Sequence, residues 1–178
     1  MRVRVIGVGN LLLGDEGVGV HAIRALEHAG VPPWVDVIDG GTAGLGLIGF
    51  MEDIDKVIVI DAADLGQSPG TFRRFQPDEV RALCAERRLS LHETGLFNVL
   101  GLARQTGAWP PELIIYGVQP ATLAHTVELS AACSAVLPAL VAAIRASSLV
   151  SRLTTTIHHI GNSSRIEMTI SRVYTNAM

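Results

Sequence analysis

The chain has 178 residues, a formal charge of -3 at pH 7, 48% hydrophobic and 17% charged residues, which suits one domain with a continuous core and is short for two. Its 14 Lys plus Arg form no run, which excludes the basic footprint that nucleic acid or an anionic membrane surface would need. A mean hydropathy of +0.37 argues against disorder over most of the chain and for strands buried on both faces.

The first apolar run, 3–8, reads as a buried strand and leads into GVGNLLLGDEGVGV. A G-x-G-x-x-G fingerprint starting at Gly7 and Gly9 would need glycine at 12, where Leu12 stands. The G-x-x-x-x-G-K-[ST] alternative fits Gly9 to Gly14 but finds Asp15 and Glu16 in place of lysine and hydroxyl. Two carboxylates repel a polyphosphate, so the loop suits a cation better than an anion. Asp15 is expected to do no more than favour the positive end of the helix that follows. That helix, 17–29, is stopped by Gly30 and Pro32-Pro33. Beyond it come a strand at 35–38 running into DGGTAG, a weaker helix at 44–52, and a strand at 56–60 running into Asp61. An edge strand is expected at 71–75, and Pro77 opens a helix over 77–88. Further helices are expected at 95–106 and 130–146, the latter kinked at Pro138, with a strand at 113–118 between them. Alternating strands and helices predict a doubly wound, mostly parallel sheet of about five strands in a three-layer α/β/α sandwich.

The single domain is expected to span 1–146. The tail 147–178 is Ser/Thr-rich, and Gly161-Asn162 before RIEMTIS allows either a marginal hairpin or disorder. Cys84 and Cys133 lie in no metal-ligand spacing and are expected as core filling in a reducing compartment. The start of the chain meets Asp15 and Glu16 too soon for a signal peptide, and no apolar run is expected to approach the roughly 20 residues that span a bilayer. A soluble cytoplasmic protein is the expectation.

Ligands of such sheets gather at the carboxyl ends of the strands. Three strands end in or near an acid there: Glu16, Asp39 and Asp61. Any one of them read alone is more often a helix cap or turn former than a functional group. His92, in RLSLHETGL, is a loop histidine that by itself reads as a surface residue. On one edge with Glu16 and Asp61 it would complete an N/O/O ligand set suited to nickel or zinc, with positions left for water or substrate. His21 and His28 are expected on the outer face of the first helix, Asp64 in a turn with Gly66, His125 in a loop that at best nears the substrate edge of the fold, and Glu93 and the His158-His159 pair away from the chemistry.

The segments GVGNLLLGDEGVGV, DGGTAG, VIVIDAAD, SLHETGL and YGVQP, in this order, resemble the nickel–iron hydrogenase maturation endopeptidases from Met1 to about Arg145. The resemblance implies an α/β/α fold and an enzyme that removes a short C-terminal extension from the hydrogenase large-subunit precursor once nickel is in place. It implies Glu16, Asp61 and His92 as metal contacts, with the nickel supplied by the precursor, and it matches Asp39 to the family's DGGT aspartate. Asp39 and Asp61 are then the candidate catalytic carboxylates. An aspartic-protease-like route would pair them, but Asp39-Gly40-Gly41-Thr42 is not the D-T-G of pepsin-type enzymes. A metal-first route, in which the ion polarises the carbonyl or activates water while Asp39 accepts a proton, fits better. The precursor is the expected partner and the enzyme is expected as a monomer. Three other readings compete: a module that recognises the loaded precursor without cutting it, a small-ligand-binding doubly wound domain, and a cysteine hydrolase using Cys84. The acids at 15 and 16 oppose the second, and the mid-helix position of Cys84 opposes the third.

Overall fold

A computed structural model describes residues 1–80 and 95–149, together with the backbone of Ser90–Leu91, Thr155–Ile160 and Ser163–Met168. His92, Glu93 and Cys84, the helix expected beyond residue 80, the Gly161-Asn162 turn and the side chains of His158 and His159 lie outside the described residues.

Strands β1 (Val3–Val8), β2 (Val35–Gly41), β3 (Lys56–Asp64), β4 (Phe72–Phe75) and β6 (Glu112–Val118) form the main sheet in the order β2-β1-β3-β6-β4. The first four in that order are parallel, and β4 is an antiparallel edge paired with β6. The two-residue β5 (Ser90–Leu91) pairs antiparallel with the end of β3. Helices α1 (Val18–Ala29) and α3 (Ala131–Leu149) cover one face, where Ile23, Leu26, Cys133, Leu140 and Ile144 pack on Val3, Val5, Ile58, Ile60 and Ile114. Helix α2 (Leu96–Thr106) and a 3-10 helix at Gly44–Phe50 cover the other, where Leu47, Leu96, Val99 and Ala103 pack on Ile6, Val57, Val59 and Ile115. The expected α/β/α sandwich with a mostly parallel sheet is therefore the observed one, and its edge strand β4 runs antiparallel.

Two expectations are corrected. Residues 44–50 form a 3-10 rather than an α-helix, because Gly44, Gly46 and Gly49 give the backbone no intrinsic reason to hold longer α-turns. Helix α3 is long and apolar enough by composition to cross a bilayer, against the expectation that no run would approach that length. It packs on the sheet by one face: it buries Cys133, Leu140, Val141, Ile144 and Ser148, and the Tyr116 hydroxyl on β6 donates to the Ala143 carbonyl at 3.1 Å. It also runs through Pro138 without ending. Past it, β7 (Thr155–Ile160) and β8 (Ser163–Met168) pair antiparallel.

Glycines set how closely α1 approaches the sheet. A Cβ at Gly7 would lie 2.2 Å from the Gly19 carbonyl oxygen, and one at Gly19 would lie 2.3 Å from Val8 O and 2.4 Å from Ile60 O. The glycine-rich stretch thus serves helix–strand packing at backbone contact, one of the uses glycine has in nucleotide folds, without the phosphate donors.

Candidate active site

β1 ends at Val8, and the chain passes through Gly9 into a 3-10 turn, Gly14–Gly17, that presents Asp15 and Glu16 before α1 begins. Gly9 has φ +134°, and a Cβ there would fall 1.8 Å from the Glu16 carbonyl oxygen. Only glycine lets the turn fold back this far onto the strand end. Glu16 is 4% exposed. Asp61 is 1% exposed and lies on β3 one residue past Ile60, where β3 has outrun its pairing with β1 and still pairs with Gly117 of β6. Because Gly19 sits on Ile60 O, the start of α1 and the turn before it are held against the strand that bears Asp61. Glu16, in the turn after β1, and Asp61, near the end of β3, thus follow the carboxyl ends of two neighbouring parallel strands.

Asp39 sits differently. It is exposed, and its Oδ1 accepts from Gly41 N at 3.0 Å, which closes a local turn. Register pairs Gly7 with Asp39 on one side and with Ile60 on the other. Paired residues share a face and neighbours alternate, so Asp39 and Asp61 project from opposite faces and stand two strands apart, roughly 10 Å. The register builds no contiguous carboxylate dyad. Among the described residues, no three His, Cys, Asp or Glu side chains gather so as to hold an ion; the third member of the expected trio, His92, lies outside them.

Asp15 corrects a sequence expectation. Its carboxylate is fully buried and does more than face a helix end: Oδ1 accepts from Ser130 N at 2.7 Å, and Oδ2 from Ala121 N at 2.8 Å and Thr122 N at 3.2 Å. Burial by itself raises its pKa, but the hydrogen bonds from Ser130, Ala121 and Thr122 outweigh it and hold the carboxyl below its ordinary 3.8. Main-chain bonds extend the junction, with Gly14 N donating to Thr126 O at 2.8 Å and Asp15 N to Thr122 O at 3.2 Å. Nothing in the local sequence marks this role, because the partners lie 106 to 115 positions away. Gln119, in YGVQP, is a second tie of this kind: its Oε1 accepts from Leu65 N at 2.7 Å and Gln67 N at 3.2 Å, fixing the chain beyond β3.

His28 is on the outer face as expected, but His21 is half-buried, with Nε2 enclosed and without a hydrogen-bond partner among the described residues. Burial and then Arg24 lower its pKa, so the ring is neutral around pH 7. Asp64 forms the expected turn, accepting from Gly66 N at 3.1 Å. Cys133 is core filling: its thiol is buried, donates to Gln119 O at 3.5 Å, and is pushed up to about 11 by burial and then by Asp15. A thiol so held is no nucleophile near neutrality.

A sequence model described as hydrogenase maturation protease matches residues 20–147, a span that holds Asp39, Asp61 and His92 and begins just after Glu16. The hydrogenase expression/formation protein HupM of Azotobacter chroococcum is 45% identical over 68% of this chain, which spans 58% of that protein. The hydrogenase 2 maturation protease of Escherichia coli K12 is 40% identical over 83% of this chain and 93% of its own length. Among solved structures, the hydrogenase maturating endopeptidase HybD from E. coli superposes with a TM-score of 0.73 at 38% identity, over 83% of this chain and 91% of that one. With the fold, the order of motifs and these likenesses in agreement, the chain belongs to the hydrogenase maturation protease family.

Proposed function

We propose that this protein is an endopeptidase that removes the C-terminal extension of the nickel–iron hydrogenase large-subunit precursor after nickel insertion, as a cytoplasmic monomer. The observation that supports it most is that two buried acids, Glu16 and Asp61, follow the carboxyl ends of neighbouring parallel strands. With His92 they make the N/O/O set that borderline divalent ions accept. Nickel here belongs to the substrate. Held by the precursor, it would take Glu16, Asp61 and His92 as added ligands, so only loaded precursor would dock productively. The bound ion would supply Lewis-acid polarisation of the scissile carbonyl. Asp39, exposed on the edge strand β2, would serve as the acceptor of a proton from the attacking water where the bound substrate brings that water to it. Separation of Asp39 from Asp61 by a strand and by the pleat favours this division of labour over a pepsin-like pair.

Removing one ligand tests it. Glu16→Gln, Asp61→Asn and His92→Ala are each expected to lower processing of loaded precursor by about 100-fold or more, with the far-ultraviolet circular dichroism of the folded protein kept. Near-normal processing by Asp61→Asn would remove the trio. If all three variants and the parent bind loaded precursor and none cuts it, the protein is a recognition module instead.

A further inference from the structure

The segment 121–129 takes no part in the ligand trio, yet it is bonded to the turn that bears Glu16. One carboxylate, Asp15, gathers backbone donors from both of its ends, Ala121 and Thr122 at the start and Ser130 at the finish. Between those ties Leu13 pairs with Thr126. The intervening side chains are turned out: Leu123 is 36% and Val127 60% exposed, and Leu12, beside the paired Leu13, is 64% exposed. A single exposed leucine is ordinary. Here three of the seven large exposed apolar side chains among the described residues fall on two segments stitched together at the mouth of the candidate site. A loop fixed from beneath by a buried carboxylate and apolar on top suits contact with polypeptide, since its ordering cost is met before a partner arrives.

We propose that Asp15 is a positioning residue, and that the segment it latches is a specificity wall on which the precursor's C-terminal segment packs through Leu12, Leu123 and Val127. The inference rests on the endopeptidase reading above. Leu12 continues directly into the Glu16 turn, so a chain whose scissile bond lies over Glu16 and Asp61 would run past this wall. His125 is also exposed there, and a peptide flanking the bond would meet it between the two apolar contacts.

Steady-state processing of the nickel-loaded precursor by the full chain decides the matter. Leu123→Asp and Val127→Asp are each expected to raise KM about tenfold with kcat nearly unchanged, because they remove contact without touching the ligands. Asp15→Asn is expected to raise KM as well, and the Asp15→Asn/Val127→Asp double variant should fall short of the product of the single effects, since both spoil one wall. A fall in kcat with unaltered KM for Asp15→Asn would make it a merely structural residue and overturn its positioning role. Should Asp15→Asn fail to fold, the two exposed variants decide alone. Wild-type KM for both Leu123→Asp and Val127→Asp overturns the wall, and so does an unchanged KM accompanied by loss of a dimer in sedimentation, which would assign the rim to a second copy. If Glu16→Gln and Asp61→Asn process normally, it is the underlying endopeptidase site that fails; if they do not while the rim variants behave as wild type, only the wall does.

Discussion

Asp15 and Glu16 are adjacent buried acids, and the role of Asp15 is set by its donors. Asp15 has three backbone N–H groups within 3.2 Å, and hydrogen bonds to a charged group contribute about 1.5–3 kcal/mol apiece before their non-additivity is counted. Asp15→Asn keeps the shape but loses the charge and turns an amide N–H toward donors, so a loss of about 2–4 kcal/mol in urea unfolding at neutral pH is expected. The pH dependence has a definite sign. Hydrogen bonding lowers the folded pKa below 3.8 in spite of burial, so the stabilisation is fully present above the unfolded value and is lost as pH falls through the folded one. The gap between wild type and Asp15→Asn should therefore narrow below about pH 4; a gap that stays constant into acid would show that the charge is not what stabilises. None of this was legible in the sequence. A carboxylate beside a helix start reads as a dipole partner, and donors more than a hundred residues away leave no local signal. His21 was missed for the same reason, since helical spacing could not show that its ring is half-buried.

At the scale of elements, legibility followed burial. The strands at 3–8, 56–60 and 113–118 could be read because strands covered on both faces need uninterrupted β-branched runs. Their polar extensions could not: β3 continues through Asp61 to Asp64 and β2 through Asp39 to Gly41, held by pairing with neighbours rather than by propensity. Register, also invisible in one sequence, decides that Asp39 and Asp61 face opposite ways. The glycines invited a phosphate comparison that Leu12, Asp15 and Glu16 already opposed. Gly7 and Gly19 permit α1 to touch β1 and β3 backbone to backbone, and Gly19→Ala would drive a methyl into two carbonyl oxygens of different strands. Rigid backbone on both sides cannot yield cheaply, so a loss of about 3 kcal/mol or more is expected in chemical denaturation. Gly49→Ala is the matched control, because its Cβ would meet nothing within 4 Å. Equal losses from the two substitutions would refute the packing account.

For the whole molecule, the architecture works as a frame that delivers side chains from separate strand ends to one rim. The α/β class and the order of motifs were readable from the chain, and the fold agrees with them. The convergence of Glu16 and Asp61 is a wager on where doubly wound sheets bind ligands, and both acids follow the ends of neighbouring parallel strands. On the proposed reading, buried acids at such a rim would be poor ligands for a passing aqueous ion, yet would complete the shell of one presented on a folded client. Side-by-side incubation of this protein with nickel-loaded and nickel-free large-subunit precursor, followed by mass measurement of the precursor's C-terminus, tests that claim most directly. Loss of the extension from the loaded form alone is the predicted result, and cleavage of both forms at equal rates would contradict it.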